Sequence, residues 1–333
     1  MCDSSLKRIP NMNIKELRCS YFHKLKEIYD QDVVELLVCN NCENLEKLGN
    51  MKRLENLSCP ECKLRSIPNF PNLKKLCINY NPIVEIPHFK KLKILSCRNT
   101  SVTNIPYIES LEDLDCSNCE IKTIHNYPNL KFLRIENCPV SMIPKFAKLE
   151  RLMCTISKIE EIPEMDTLLE LYCCCCKNLK SIPDLPSLFH LSMGSTNVGA
   201  IPSFRNLRTL QCMSSVLVSI PVLPNLRTLN CSYSNRLVTI ETRNLEYLSC
   251  HSCKLLVKIP NCNVSEKHNS PCIERKNQIY KLHGWIRRNF RYFVFQRWIK
   301  SNYGRDFLYH PDNIGGRIEK AKLKRTFEIL SRN

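Results

Sequence analysis

Glycine is scarce in this chain, seven residues in 333, and no G-x-x-x-x-G-K or G-x-G-x-x-G string occurs. That excludes the backbone loops which cradle nucleotide phosphates. No run approaches the ~18 apolar residues that a membrane span needs, and the start, MCDSSLKRIPNMNIKEL, has no apolar stretch resembling a signal peptide. The outward strand positions repeat no paired carboxylate and no histidine ladder, so no hydrolytic centre is read there; the expectation is a non-enzyme with no cofactor.

What the chain has in abundance is repetition. With Cys116 of LEDLDCSNCEIKTI as an anchor, one frame recurs thirteen times, at Cys19, Cys39, Cys59, Ile78, Cys97, Cys116, Ile135, Cys154, Cys173, Met193, Cys212, Cys231 and Cys250, spaced by 19 or 20 residues. Aliphatic residues stand five and two places before each anchor, as Leu111 and Leu114 do here. The alternation L-x-x-L-x-C has the period of a short strand with one buried face. A small polar or thiol residue follows three places after the anchor (Asn81, Thr100, Cys119, Ser157), suited to bonding the backbone as the chain turns. Most copies then close on Ile-Pro, from Ile67-Pro68 to Ile259-Pro260. Proline fixes its own φ and disfavours helix in the residue before it, so the return segment is expected to be extended or polyproline-like. Three residues beyond each Ile stands a further large apolar group, among them Phe70, Phe89, Tyr127, Phe146 and Phe204, expected to form a second buried ladder. One repeat buries only about five such groups at roughly 1.5–3 kcal/mol each, against ~1 kcal/mol or more per residue of ordering. Neighbouring copies must supply the rest.

The string L-x-x-L-x-(L/C)-x-x-(N/C)-x-(L/I), over residues 9–262, resembles the leucine-rich repeat signature, and its short Ile-Pro form is similar to repeats of bacterial secreted effectors. Cys replaces Leu at most anchors and Cys, Ser or Thr replaces most of the Asn. The resemblance implies a horseshoe solenoid with a parallel concave sheet, of about thirteen repeats. The last stretch, YHPDNIGGRIEKAKL, resembles tails of repeat proteins encoded by giant DNA viruses of amoebae. That implies a viral protein acting in host cytoplasm.

Twenty-two cysteines are explained mainly as filling: ten occupy anchors and six more the position three beyond (Cys42, Cys62, Cys119, Cys138, Cys176, Cys253). Small buried thiols of this kind fit a reducing, cytoplasmic compartment. Cys39, Cys42, Cys59 and Cys62 also match a four-thiolate zinc spacing. The same C-x-x-C arises at Cys116/Cys119 and Cys250/Cys253 wherever both repeat positions are Cys, so the structural reading is preferred. Cys174 and Cys175 fall outside both ladders. Sequons at Asn56 and Asn230 start within strands, which disfavours glycosylation.

Residues 263–333 lose the frame and carry 16 Lys/Arg against 6 Asp/Glu. Ser270-Pro271 reads as a helix start, and Ile279, Leu282, Ile286, Phe290 and Phe293 follow at helical spacing. A helical cap over the last repeat is the expectation. Arg287, Arg288, Arg291, Arg297 and Lys300, interleaved with Trp285, Tyr292 and Trp298, form a candidate anionic-ligand surface, with nucleic acid and anionic membrane as the lesser readings.

A sheet of about thirteen strands at ~4.8 Å would be roughly 60 Å long, enough for a standard protein interface. Phe132, Arg134, Arg151, Met153, Tyr172 and His190 are the candidate partner-binding residues, because aromatic and Arg side chains carry most interface energy. The expected role is a monomeric scaffold for a protein partner, of host origin if the chain is viral. The alternative is a substrate reader in a ubiquitin-ligase complex, acting through a further subunit because no F-box or ligase domain is recognisable. If the tail is a cap, truncation after residue 262 lowers stability or solubility, while Arg287, Arg288 and Arg291 reversed to Glu cost little. A stable, soluble, monomeric 1–262 fragment in thermal melts and size exclusion would contradict this.

Overall fold

The computed structural model describes residues 6–243 and 245–257; the boundary at 262, the capping helices and the five tail residues from Arg287 to Lys300 lie outside them. Each repeat opens with a three-residue strand, and thirteen of these, from Glu16–Arg18 to Tyr247–Ser249, form one parallel sheet in sequence order. The register advances without a slip: Leu114 pairs Leu133, Leu133 pairs Leu152, and Leu152 pairs Leu171. In the Cys116 repeat the inward residues Leu111, Leu114, Cys116, Cys119, Ile121, Ile124 and Tyr127 are all buried. The second ladder is present as expected, since Phe70, Phe89, Phe146 and Phe204 are buried to within 1% exposure. Polar groups stand in its line near both ends. Gln31 bonds the carbonyls of Pro10 and Tyr29 at 2.8 and 3.0 Å, and Thr242 bonds the backbone of Leu223, so neither is buried unsatisfied.

No helix occurs among the described residues. The return side pairs into short strands only near the two ends: Arg8–Ile9, Glu27–Ile28 and Lys47–Leu48, then Ser219–Ile220 and Thr239–Ile240. The reason is a missing proton. Tyr29, Gly49 and Glu241 each donate the N–H following the aliphatic residue to the carbonyl of Ile9, Ile28 and Ile220 in the previous repeat. From Pro68 to Pro202 proline takes that place in all but one repeat and has nothing to donate. The exception is His125, and there the Tyr127 hydroxyl donates to the Ile105 carbonyl that would have been the acceptor, at 3.3 Å. Gly49 is needed as glycine, because a Cβ there would lie 2.3 Å from the Asp30 nitrogen.

One periodic feature has no counterpart in the sequence pattern. The residue two past every anchor lies in the left-handed region, with φ between 51° and 65°, and all thirteen are non-glycine. Asn holds it at 41, 99, 118 and 137, but Ile156 and four tyrosine or cysteine side chains (Tyr21, Tyr80, Tyr233, Cys175) do so as well. The conformation is over-determined from outside. From Tyr21 to Tyr233 the N–H at this position donates to a carbonyl one past the next anchor, as from Asn118 to Glu136 at 2.8 Å.

The residue three past the anchor completes the link between repeats. Cys42, Cys62, Cys119, Cys138, Cys176 and Cys253 each donate their thiol proton to the anchor carbonyl of the previous repeat, at 2.9–3.1 Å. Asn81 and Ser234 do the same with an amide and a hydroxyl. Anchor thiols make a separate column, as where Cys59 Sγ stands 3.6 Å from Cys39 Sγ. Burial pushes the Cys173 thiol well up and that of Cys212 up to about 12, so both are neutral core groups. The two positions therefore respond differently to one substitution. Cys138→Ser keeps a donor and is expected to change stability by less than about 0.5 kcal/mol, whereas Cys173→Ser buries a hydroxyl among apolar groups and costs about 1–3 kcal/mol, measured by denaturant unfolding.

Candidate functional site

The two outward positions of each strand tile the exposed face of the sheet. Because strand pairing is in register, residues 19 or 20 apart in sequence become lateral neighbours there. Phe132 stands beside Arg151, Arg151 beside Glu170, and Glu170 beside His190; in the next row Arg134, Met153 and Tyr172 are adjacent. The six residues singled out from the sequence thus form one patch. Sequence reasoning passed over its two carboxylates, Asp113 and Glu170, which have no repeat-wide pattern to mark them.

Those carboxylates organise the patch. Arg151 donates from Nη2 to Glu170 Oε1 at 2.8 Å, and its Nε lies 2.8 Å from Oε2 as a close ionic contact outside hydrogen-bond geometry. Its guanidinium also lies 5.6 Å from the centroid of the Phe132 ring. The Tyr172 hydroxyl donates to the same Glu170 Oε2 at 3.0 Å, and its ring packs on His190 with centroids 4.7 Å apart. Arg134 donates to Asp113 Oδ1 at 3.1 Å. Both arginines are therefore neutralised by neighbours within the sheet.

Titration behaviour follows from these contacts. Burial opposes ionisation of Glu170, yet the bonds from Arg151 and Tyr172 outweigh it and hold the carboxyl below its usual range. At Asp113 burial prevails over Arg134 and raises the group. Burial lowers His190 below the ordinary imidazole value, with Glu170 pulling it up and Arg151 pushing it down. The Nε2 atom of His190 is buried and has no hydrogen-bond partner among the described residues.

No nucleophile, base and orienting group converge on this face. Cys174 Sγ lies 3.1 Å from Ser192 Oγ, which in turn reaches Gln211 Oε1 at 3.3 Å, a polar chain without an adjacent base. Cys39 and Cys59 belong to the anchor column while Cys42 and Cys62 bond backbone carbonyls, so the four-thiolate spacing is split between two ladders. Among the described residues no group of three or more His, Cys, Asp or Glu is arranged to hold a metal ion, and no helix is long and apolar enough to cross a membrane.

The pair Glu170–His190 yields a test. His190 is expected to titrate below the usual ~6.5 of a free imidazole, and Glu170→Gln to lower it further, because Arg151 then faces the ring uncompensated. Since the unfolded imidazole takes its proton first, His190 costs stability as pH falls below ~6.5, and His190→Phe removes that loss. NMR titration and thermal melts against pH measure both; a His190 midpoint above the free value would contradict the geometry.

No protein-family model matches the chain, and comparison with curated proteins finds no significant match in sequence. Solved structures do match. The chain is similar to YopM, a leucine-rich effector protein from Yersinia pestis, with 20% identity over 77% of this chain and 84% of that one and a TM-score of 0.62. It is similar also to a leucine-rich repeat protein of Leptospira interrogans, with 19% identity over 81% and 94% of the two chains and a TM-score of 0.54. The short parallel strands, the 19- to 20-residue period and these likenesses agree: the chain has the leucine-rich repeat fold.

Proposed function

We propose that the protein is a non-catalytic recognition scaffold that binds a protein partner on the sheet face, centred on Phe132, Arg134, Arg151, Met153, Tyr172 and His190. The observation that carries this reading is the clustering of aromatic and arginine side chains in adjacent registers of one sheet. Arg134, Arg151 and Tyr172 are held by Asp113 and Glu170, so these three have little side-chain entropy left to lose on contact. Residues of these types dominate interface energetics when centrally placed. The mean interface of a specific complex takes ~800 Å² from each partner, which a few strands around the patch supply.

A role as substrate reader in a ubiquitin-ligase complex would use this same face, and no observation on the described residues favours it over recognition in general. The anionic-ligand reading of Arg287, Arg288, Arg291, Arg297 and Lys300 stands apart from the sheet face and rests on sequence alone.

Site-specific photocrosslinking decides whether this face is used. A benzophenone amino acid at Met153 is expected to capture a discrete partner from the source cell, whereas the same group at Tyr107, exposed on the return side, is not. Arg151→Ala and Tyr172→Ala should each cut the Met153 crosslink by roughly tenfold or more. Crosslinks confined to Tyr107 would refute the proposal.

A further inference from the structure

The entry edge of the sheet changes character at one place, and apolar tips face it on the exit edge, as Tyr21, Tyr80 and Tyr233 do in other repeats. On the entry edge, the residue four before the anchor is charged from Lys15 to Glu150 and again from Arg208 onward; only Leu169 and Phe189 are not. Side chains of this row are true neighbours, since Lys74 reaches Glu55 at 2.8 Å and Lys93 reaches Glu112 at 2.9 Å. Phe189 is exposed and Leu169 half-buried. On the exit edge, Asn137 bonds Asn118 at 2.9 Å, and the next two tips are Ile156, 57% exposed, and Cys175, also exposed. Ile156 holds a left-handed φ of 63°, the least suitable conformation for a β-branched residue. Between the edges lie Phe132, Met153 and Tyr172. A belt of these apolar groups therefore crosses the sheet parallel to its strands, and the charges within it, Arg134, Arg151 and Glu170, are already paired.

We infer that this belt receives a single amphipathic α-helix of the partner, presenting an uncharged aliphatic and aromatic stripe and lying along the strands; this rests on the reading of the sheet face as the binding surface. The backbone decides between helix and extended segment. Every strand from Phe132–Arg134 to His190–Ser192 is paired on both sides, so an extended partner would find no main-chain donors or acceptors, whereas a helix satisfies its own. Size agrees. The seven positions from entry to exit edge span roughly 20 Å and the four strands roughly 15 Å, against a helix ~10–12 Å across. The resulting footprint is ~300 Å², apolar groups and paired charges together. Charge agrees as well: an acidic or basic stripe would have to displace Glu170 from Arg151 or meet no free counter-charge.

A display library of helical peptides, randomised along one face and selected on the full chain, tests this. Selected helices are expected to carry Leu, Ile, Phe or Trp at i, i+3, i+4 and i+7, and to lose affinity roughly tenfold or more on Phe189→Lys and on Ile156→Asn, but not on Lys93→Glu. Ile156→Asn separates binding from folding: relief of the left-handed strain raises the melting temperature while the affinity falls, and a loss of both would mean that Ile156 is only structural. Acidic helices sensitive to Lys93→Glu would overturn the belt while leaving the sheet-face reading intact. Helices indifferent to these changes and to Met153→Lys would overturn both. Enrichment of no helix at all would overturn the belt.

Discussion

Everything in this molecule hangs on the hydrogen bonds that one repeat hands to the next. A strand of three residues and a return segment without regular structure bury too little to persist alone. What fixes each copy is the previous and the following copy: sheet pairing at the strand, the N–H of the left-handed residue two past the anchor, and, in eight repeats, the thiol, amide or hydroxyl proton of the residue three past it. The last of these is the least replaceable by an apolar group. It satisfies the anchor carbonyl of the previous repeat inside the core, where an orphaned acceptor would be costly. Cysteine serves because its Sγ is small enough for the column and still donates a proton.

Much of this was legible in the sequence. The buried faces, both ladders and the backbone-bonding role of Cys119 or Asn81 follow from residue type and spacing, and the absence of helix among the described residues follows from Ile-Pro. Three things were not legible. The left-handed position left no trace because the signal for positive φ is glycine, and here the turn is imposed by neighbouring carbonyls on Asn, Ser, Tyr and even Ile. The short return-side strands depend on which repeats lack a proline after the aliphatic residue, a difference visible only once the donors Tyr29, Gly49 and Glu241 are seen against their acceptors. Glu170 and Asp113 escaped notice because their importance is lateral: each acts on an arginine about twenty residues away, brought alongside by the register.

The sheet face differs electrostatically from the chain as a whole. The protein carries a formal charge of +17, yet the two arginines central to this face are each matched by a carboxylate at 2.8–3.1 Å. A surface that compensates itself discriminates by shape, and it gives association little long-range steering. Specificity in such a surface rests on side chains held in place, and the Arg151–Glu170 pair with Tyr172 bonded to the same carboxylate supplies this.

The proline that silences return-side pairing also divides the solenoid mechanically. Near residues 8–48 and 219–240 successive repeats are fastened on both sides, so bending there must stretch hydrogen bonds. From Pro68 to Pro202 the return side has no such ladder and is joined by side-chain packing and scattered hydrogen bonds, such as Glu160 N–H to the Ser141 carbonyl and the Tyr127 hydroxyl to that of Ile105, which yield more softly to splay. The middle of the arc is thus a leaf spring clamped at either end. Phe132 through His190 sit on that compliant span, and the curvature presented to a ligand can adjust there while the register of every strand is kept.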